Sequence, residues 1–187
     1  MYNSIIKIRT VMLYLGENQN DNPEEMFQLN KPVIEKYLIN IIERGKCNFL
    51  FSDFGSREIF VIKILIELKK IFPNIKLIFV YSKKDVNAGQ DMLKAVNDSR
   101  MHKSVCEIYE SIDLCVESYG ENFKSALALM LRYSTEFICY SKYFNKTGFD
   151  IIKKARTLGL KVTNLYDFMK NNTYLNIKKS LVDTSID

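Results

Sequence analysis

Glycine and proline are scarce in this chain, with seven and three residues respectively. Their scarcity excludes collagen-like repeats and Pro/Gly-rich low-complexity sequence, and an ordinary apolar content argues against a mostly disordered chain. A single histidine, His102, excludes any multi-histidine metal site. The four cysteines, Cys47, Cys106, Cys115 and Cys139, are far apart and form no Cys-x-x-Cys pair. Neither a disulfide framework nor a zinc site is therefore expected. Cys47, Cys115 and Cys139 lie in or beside apolar runs and read as small hydrophobes. Lys7 and Arg9 interrupt the first apolar run, residues 5–15, so no secretory leader is expected. No apolar stretch is long enough to span a bilayer, and the expected home is a reducing cytoplasm.

No block of like charge is present either. The formal charge of +5 comes from scattered lysines and arginines, and pairs such as Lys69-Lys70 and Lys153-Lys154 read as solvated faces. A mildly basic balance is compatible with a phosphate-bearing partner.

What is there is a regular alternation of elements. Residues 5–15 read as a buried strand that ends at Gly16 and runs into the polar stretch 17–22. Pro32 opens a helix whose apolar positions Val33, Ile34, Tyr37, Leu38, Ile41 and Ile42 recur at helical spacing, with Gly45 as its stop. Strand 47–51 leads into Ser52-Asp53-Phe54-Gly55-Ser56-Arg57-Glu58, then a strongly apolar helix over 58–71, then strand 75–81. Strand, helix, strand over about thirty residues marks the parallel βαβ unit. Residues 82–104 read as a polar insert with a helical turn or two, followed by a short strand around Leu114-Cys115-Val116. A helix over 121–132, a strand at 137–140, a helix bearing Ile151, Ile152, Ala155 and Leu158 on one side, and a last strand at 162–165 complete the chain. At 187 residues this predicts one α/β domain, a three-layer Rossmann-like fold over 1–169 with a mainly parallel sheet of about five to six strands, and a polar tail over 170–187.

In such sheets ligands bind beyond the carboxyl ends of the strands, where helix N-termini offer unpaired N–H groups and a positive dipole end. Three loops qualify. Gly16 and Glu17 follow the first strand. After the second, Ser52 and Ser56 offer hydroxyls, Gly55 allows close backbone approach, Arg57 is suited to phosphate, and Asp53 to a ribose hydroxyl. Before the last long helix stand Lys146, Thr147 and Gly148, with Thr147 a natural cap. Glu121 and Asp150 are acids near strand ends, suited to acid–base work or to holding a ribose. Ser/Asp capping explains much of the second loop as well, and a full Gly-x-Gly-x-x-Gly is missing.

The order of elements resembles the SLOG superfamily, the Rossmann-like group that includes the DprA/Smf proteins and the cytokinin-activating LOG enzymes, and within it the small YpsA-like proteins of bacteria and phages. The likeness runs from about residue 11 to residue 168. Gly16-Glu17-Asn18 stands where members carry a Gly-His-Arg type turn. Phe49-Leu50-Phe51-Ser52-Asp53-Phe54-Gly55 keeps the second strand and the later glycine of a glycine-rich loop. The passage over 67–77 is similar to the family's helix-to-strand connection, and Thr147-Gly148 to a Gly-Thr at a helix start. LOG-type phosphoribohydrolases place a glutamate where this chain has Ile152, so the resemblance implies nucleotide-ligand binding and not the family's hydrolysis.

The leading expectation is thus a binding or sensor domain for a nucleotide-derived small molecule, with no metal and no other cofactor. The alternatives are an enzyme cleaving an N-glycosidic or phosphoester bond through Asp53, Glu121 or Asp150, and a single-stranded DNA binder using Phe54, Tyr81 and Tyr143 as stackers. Self-association through the apolar helices is a further expectation, and a membrane partner is not expected.

Overall fold

The computed structural model describes residues 9–15, 28–52, 56–82, 99–118, 123–140 and 146–171. In chain order the elements are β1 (Thr10–Tyr14), α1 (Lys31–Glu43), β2 (Asn48–Phe51), α2 (Ser56–Lys69), β3 (Lys76–Tyr81), α3 (Ser99–Ser111), β4 (Leu114–Glu117), α4 (Phe123–Tyr133), β5 (Glu136–Cys139), α5 (Lys146–Thr157) and β6 (Lys161–Asn164). A last helix, α6, covers 165–171.

The strands form one six-stranded sheet in the order β4-β3-β2-β1-β5-β6, and every pair is parallel. Central strands of such a sheet are covered on both faces, which is why β1, β2 and β5 are apolar throughout their interiors. Successive side chains alternate between the faces. Val11, Leu13, Phe49, Phe51, Leu77 and Ile138 pack against α1, α2, α3 and α6 on one face. Met12, Leu50, Val80, Phe137 and Cys139 pack against α4 and α5 on the other. The protein is a three-layer Rossmann-like α/β fold, as the sequence predicts.

Glycine ends two helices by the same device. Gly45 lies at φ +88° and donates to Ile42 O at 2.8 Å, while Lys46 N–H reaches Ile41 O at 3.1 Å. Gly159, at φ +76°, donates to Arg156 O, and Leu160 N–H to Ala155 O, both at 3.0 Å. Paired bonds of this pattern satisfy the last helical carbonyls and need a left-handed residue after the helix. The structure places Pro32 at the start of α1, followed by the buried stripe Ile34, Tyr37, Leu38 and Ile41. Tyr37 O–H donates to Thr163 Oγ1 on β6 at 2.9 Å, and Lys31 meets Glu67 of α2 at 2.8 Å, so α1 ties α2 to the far side of the sheet.

Four expectations are corrected. The helix expected within the polar insert runs past the insert's end: α3 spans Ser99–Ser111, while residues 83–98 lie outside the described residues. Among the described side chains of α3, Val105 and Ile108 are buried, a narrow stripe among polar residues. Cys115 is exposed, because β4 is an edge strand with Leu114 also 53 % exposed. Leu158 is 48 % exposed and not part of the apolar side of α5, because the helix already ends at Thr157. Residues 165–171 are helical, with Leu165 and Met169 buried and Phe168 packed 4.9 Å from the Tyr37 ring; Leu165 therefore opens a helix and does not close the last strand. The rest of the expected tail, 172–187, lies outside the described residues.

Candidate functional site

Buried polar groups divide between the two edges of the sheet. At the amino-terminal edge the partners are internal. Glu136 on β5 meets Arg44 at 3.5 Å and Lys46 at 3.7 Å. Asp113 meets Lys69 at 2.6 Å and Lys76 at 3.4 Å, and accepts from Leu77 N–H at 2.9 Å. Burial pushes the Asp113 carboxyl up, but the bonds from Lys69, Leu77 and Lys76 outweigh it and hold the group below its usual range. These are structural charges that pin helix ends to strand starts.

The carboxyl-terminal edge is different. The strand order turns between β1 and β5: the connection after β1 runs on the α1–α2–α3 face and the one after β5 on the α4–α5 face. A crevice between the ends of two such strands is where open parallel sheets hold ligands. Among the described residues the first turn of α2 contacts the ends of both strands. Arg57 is 3 % exposed, and its guanidinium lies over the Tyr140 ring, 4.5 Å from the centroid. Tyr140 is itself buried and packs edge-on to Tyr166 at 5.9 Å. The ring takes the face of the guanidinium, so the stack sets the plane in which its N–H groups donate. Glu58 is 2 % exposed, and its Oε1 accepts from the backbone N–H of Leu15 just past β1. Arg57 and Glu58 thus point from one helical turn to two neighbouring strands.

Farther along the same edge, Ser82 and Ser118 close β3 and β4. Both are buried, and Ser118 N–H donates to Tyr81 O at 2.8 Å. The Ser118 Oγ has no hydrogen-bond partner among the described residues.

Of the residues singled out from sequence, Gly16, Glu17, Asp53, Gly55 and Glu121 lie outside the described residues. Ser52 is half-buried at the end of β2. Ser56 and Arg57 belong to α2 and not to a loop, since the helix begins at Ser56. Lys146, Thr147 and Gly148 form the first turn of α5, so Thr147 stands inside the helix and not before it as a cap; Gly148 is buried there. Asp150 is exposed on α5. Among the described residues the structure brings Arg57 to β5, and it adds Glu58 and Tyr140, which sequence reasoning did not mark. The available signal was an Arg-Glu pair heading a helix whose Ile59, Val61, Ile62, Ile64, Leu65 and Leu68 all become buried. A helix apolar on most sides leaves its charged first turn little solvent to face.

Among the described residues no group of three metal-ligating side chains is present, and no helix is long and apolar enough to cross a membrane. No family model matches the chain, and no curated protein sequence matches it significantly.

Proposed function

We propose that the chain binds a nucleotide-derived or phosphate-bearing small molecule in the crevice between β1 and β5, acting as a cytoplasmic binding or sensor domain of the SLOG, YpsA-like kind. One observation carries this reading: a buried guanidinium, Arg57, held over Tyr140 at the point where the strand order turns. Arginine's planar fork presents several N–H donors in a geometry that matches phosphate. A phosphate reaching it would do so away from bulk water, where charge-assisted hydrogen bonds are strong.

The test is a thermal-shift screen of the purified protein against nucleotides, sugar nucleotides and ADP-ribose derivatives, with turnover checked for every hit. A ligand at one hundred times its dissociation constant stabilises by about 2.7 kcal/mol, a plainly visible shift. Arg57→Lys should weaken that shift and Arg57→Met should abolish it. No shift with any ligand of these classes would refute the reading, and a shift with product would move it to the enzyme alternative.

A further inference from the structure

The two edges of the sheet are not finished alike. At one edge β6 opens on the exposed Lys161, its other three residues are half-buried, and Thr163 accepts from Tyr37 of α1. Charge on an edge strand, lysine above all, guards it against pairing with another chain. At the other edge, β4 has neither lysine nor proline in Leu114-Cys115-Val116-Glu117. Leu114, Cys115 and Glu117 are exposed, and at four residues the strand is as long as β2 in the middle of the sheet. Among the described residues β3 is the one strand that pairs with it.

We infer that the outer edge of β4 is a dimer interface, on which β4 of a second copy of this chain lies antiparallel and joins two six-stranded sheets into one. A closed pair of identical chains needs a two-fold axis. An axis normal to the sheet reverses the strand and keeps its faces, so opposed residues share a face and the axis passes beside a residue. Leu114 and Val116 alternate to the α4–α5 face, where Val116 packs on the core, and Asp113, Cys115 and Glu117 to the other. With the axis at Cys115, Leu114 opposes the partner's Val116, Cys115 the partner's Cys115, and Asp113 the partner's Glu117. With the axis at Val116, Leu114 would oppose the partner's Ser118, and the apolar pair would be lost.

Charge selects the first register as well. Asp113 already meets both Lys69, at 2.6 Å, and Lys76, at 3.4 Å, so two lysines share one carboxylate and that end of β4 carries a positive charge in excess. The Lys76 side chain is 53 % exposed. The partner's Glu117, the charged residue of β4, arrives at that end, and the contact is made once in each copy. Apolar pairs and opposite charges facing across strands are what stabilise antiparallel pairing. The inference is independent of any ligand in the crevice.

Cys115 reports on the pairing. Opposed residues of antiparallel strands have Cα atoms about 4.5–5.5 Å apart, within the span of a disulfide. Pairing covers main-chain groups and leaves the Cys115 side chain standing on the sheet face, open to reagents. The experiment is sedimentation velocity of the reduced full chain up to about 100 μM, as suits the weak contact of a short edge, followed by oxidation with diamide. Diamide takes two protons and two electrons from two thiols, which join in one S–S bond, and becomes the hydrazine. The native protein should pass from monomer to dimer as concentration rises, and peptide mass spectrometry should find Cys115 linked to the partner's Cys115. Leu114→Lys and Glu117→Lys, both at exposed positions, should each raise the dissociation constant at least tenfold. A chain that stays monomeric throughout overturns the inference. A dimer whose dissociation constant neither variant moves overturns it too, as does a cross-link through Cys47 or Cys106 in place of Cys115. The native cross-link decides the matter even if a variant misfolds.

Discussion

Replacing Tyr37 by Phe removes one oxygen from the joint between α1 and β6, and its consequences can be worked out in both magnitude and pH. Tyr37 is buried, its O–H donates to Thr163 Oγ1 at 2.9 Å, and its ring packs on Phe168. Phenylalanine keeps the ring contacts, so the loss is that of one hydrogen bond between neutral groups, about 1 kcal/mol. In a chain of this size that lowers the melting temperature by about 2–4 °C. The pH dependence is the sharper readout. Burial raises the Tyr37 phenol above 10.0, with the bond to Thr163 opposing it and the charge of Glu136 adding to it. A raised value favours the protonated form in the folded state. Its contribution is therefore full below pH 10 and falls as pH climbs from 10 through the raised value, because the unfolded chain ionises first. Urea unfolding of the native protein and Tyr37→Phe at pH 7, 9, 10 and 11 should show the gap of about 1 kcal/mol at pH 7 shrinking above pH 10. Tyr109, also raised by burial and by the nearby Cys115, is common to both proteins and cancels in the comparison. Equal stability at pH 7, or a gap that stays constant to pH 11, would refute the reasoning.

Three further outcomes follow from other parts of the fold. Cys115 should react with a thiol reagent in the folded protein at pH 8 while Cys139 stays intact, since Cys115 is exposed and burial, helped by the charge of Asp167, pushes the Cys139 thiol up to about 12; mass spectrometry of the labelled peptides gives the order, and equal labelling would contradict it. Asp113→Asn should flatten the acid limb of the stability curve. Because the native carboxyl is held below 3.8, its contribution is present above that pH and lost as pH falls through the lowered value, so urea midpoints of the two proteins should converge toward pH 3 and differ at pH 5. Gly45→Ala should cost about 1–2 kcal/mol of unfolding free energy from backbone conformation alone, since an added Cβ meets no atom within 4 Å; a neutral substitution in denaturant titration would show that the turn relaxes.

Most of the sheet was readable because buried parallel strands are apolar runs punctuated by Gly or Pro, as at Gly45 before β2 and Pro73 before β3. The failures share a cause. α3 buries a stripe centred on Val105 and Ile108, and β4 exposes Leu114 and Cys115 at the sheet's edge, so neither carries the periodic signal of an element buried along its length. Residues 165–171 follow β6 without a turn, so Leu165 reads as a strand's end until its pairing with Met169, one helical turn on, is seen. Within the crevice, Arg57 was legible as an anion-binding residue by type alone. Its partner Tyr140 lies 83 positions away in sequence (140 minus 57), and nothing local in Phe137-Ile138-Cys139-Tyr140 distinguishes a ring under a guanidinium from a core aromatic.

The position of β1 bears on how the chain is made. β1 sits in the middle of the sheet, with β2 on one side and β5 on the other, and the Thr135 hydroxyl at the head of β5 donates to Thr10 O across 125 residues. During synthesis the first four strands can pair in order, each with the strand before it. All that while one edge of β1 stays open, a row of unsatisfied amides and carbonyls on an apolar strand. At ribosomal speeds of about 5–20 residues per second, that edge waits several seconds for its partner. The nascent chain therefore passes through an obligatory half-sheet with a template for wrong pairing at its border. Folding in the cell should accordingly depend on how quickly residues 134–139 leave the ribosome, and slowing translation just before them should increase aggregation of this protein more than slowing it anywhere earlier.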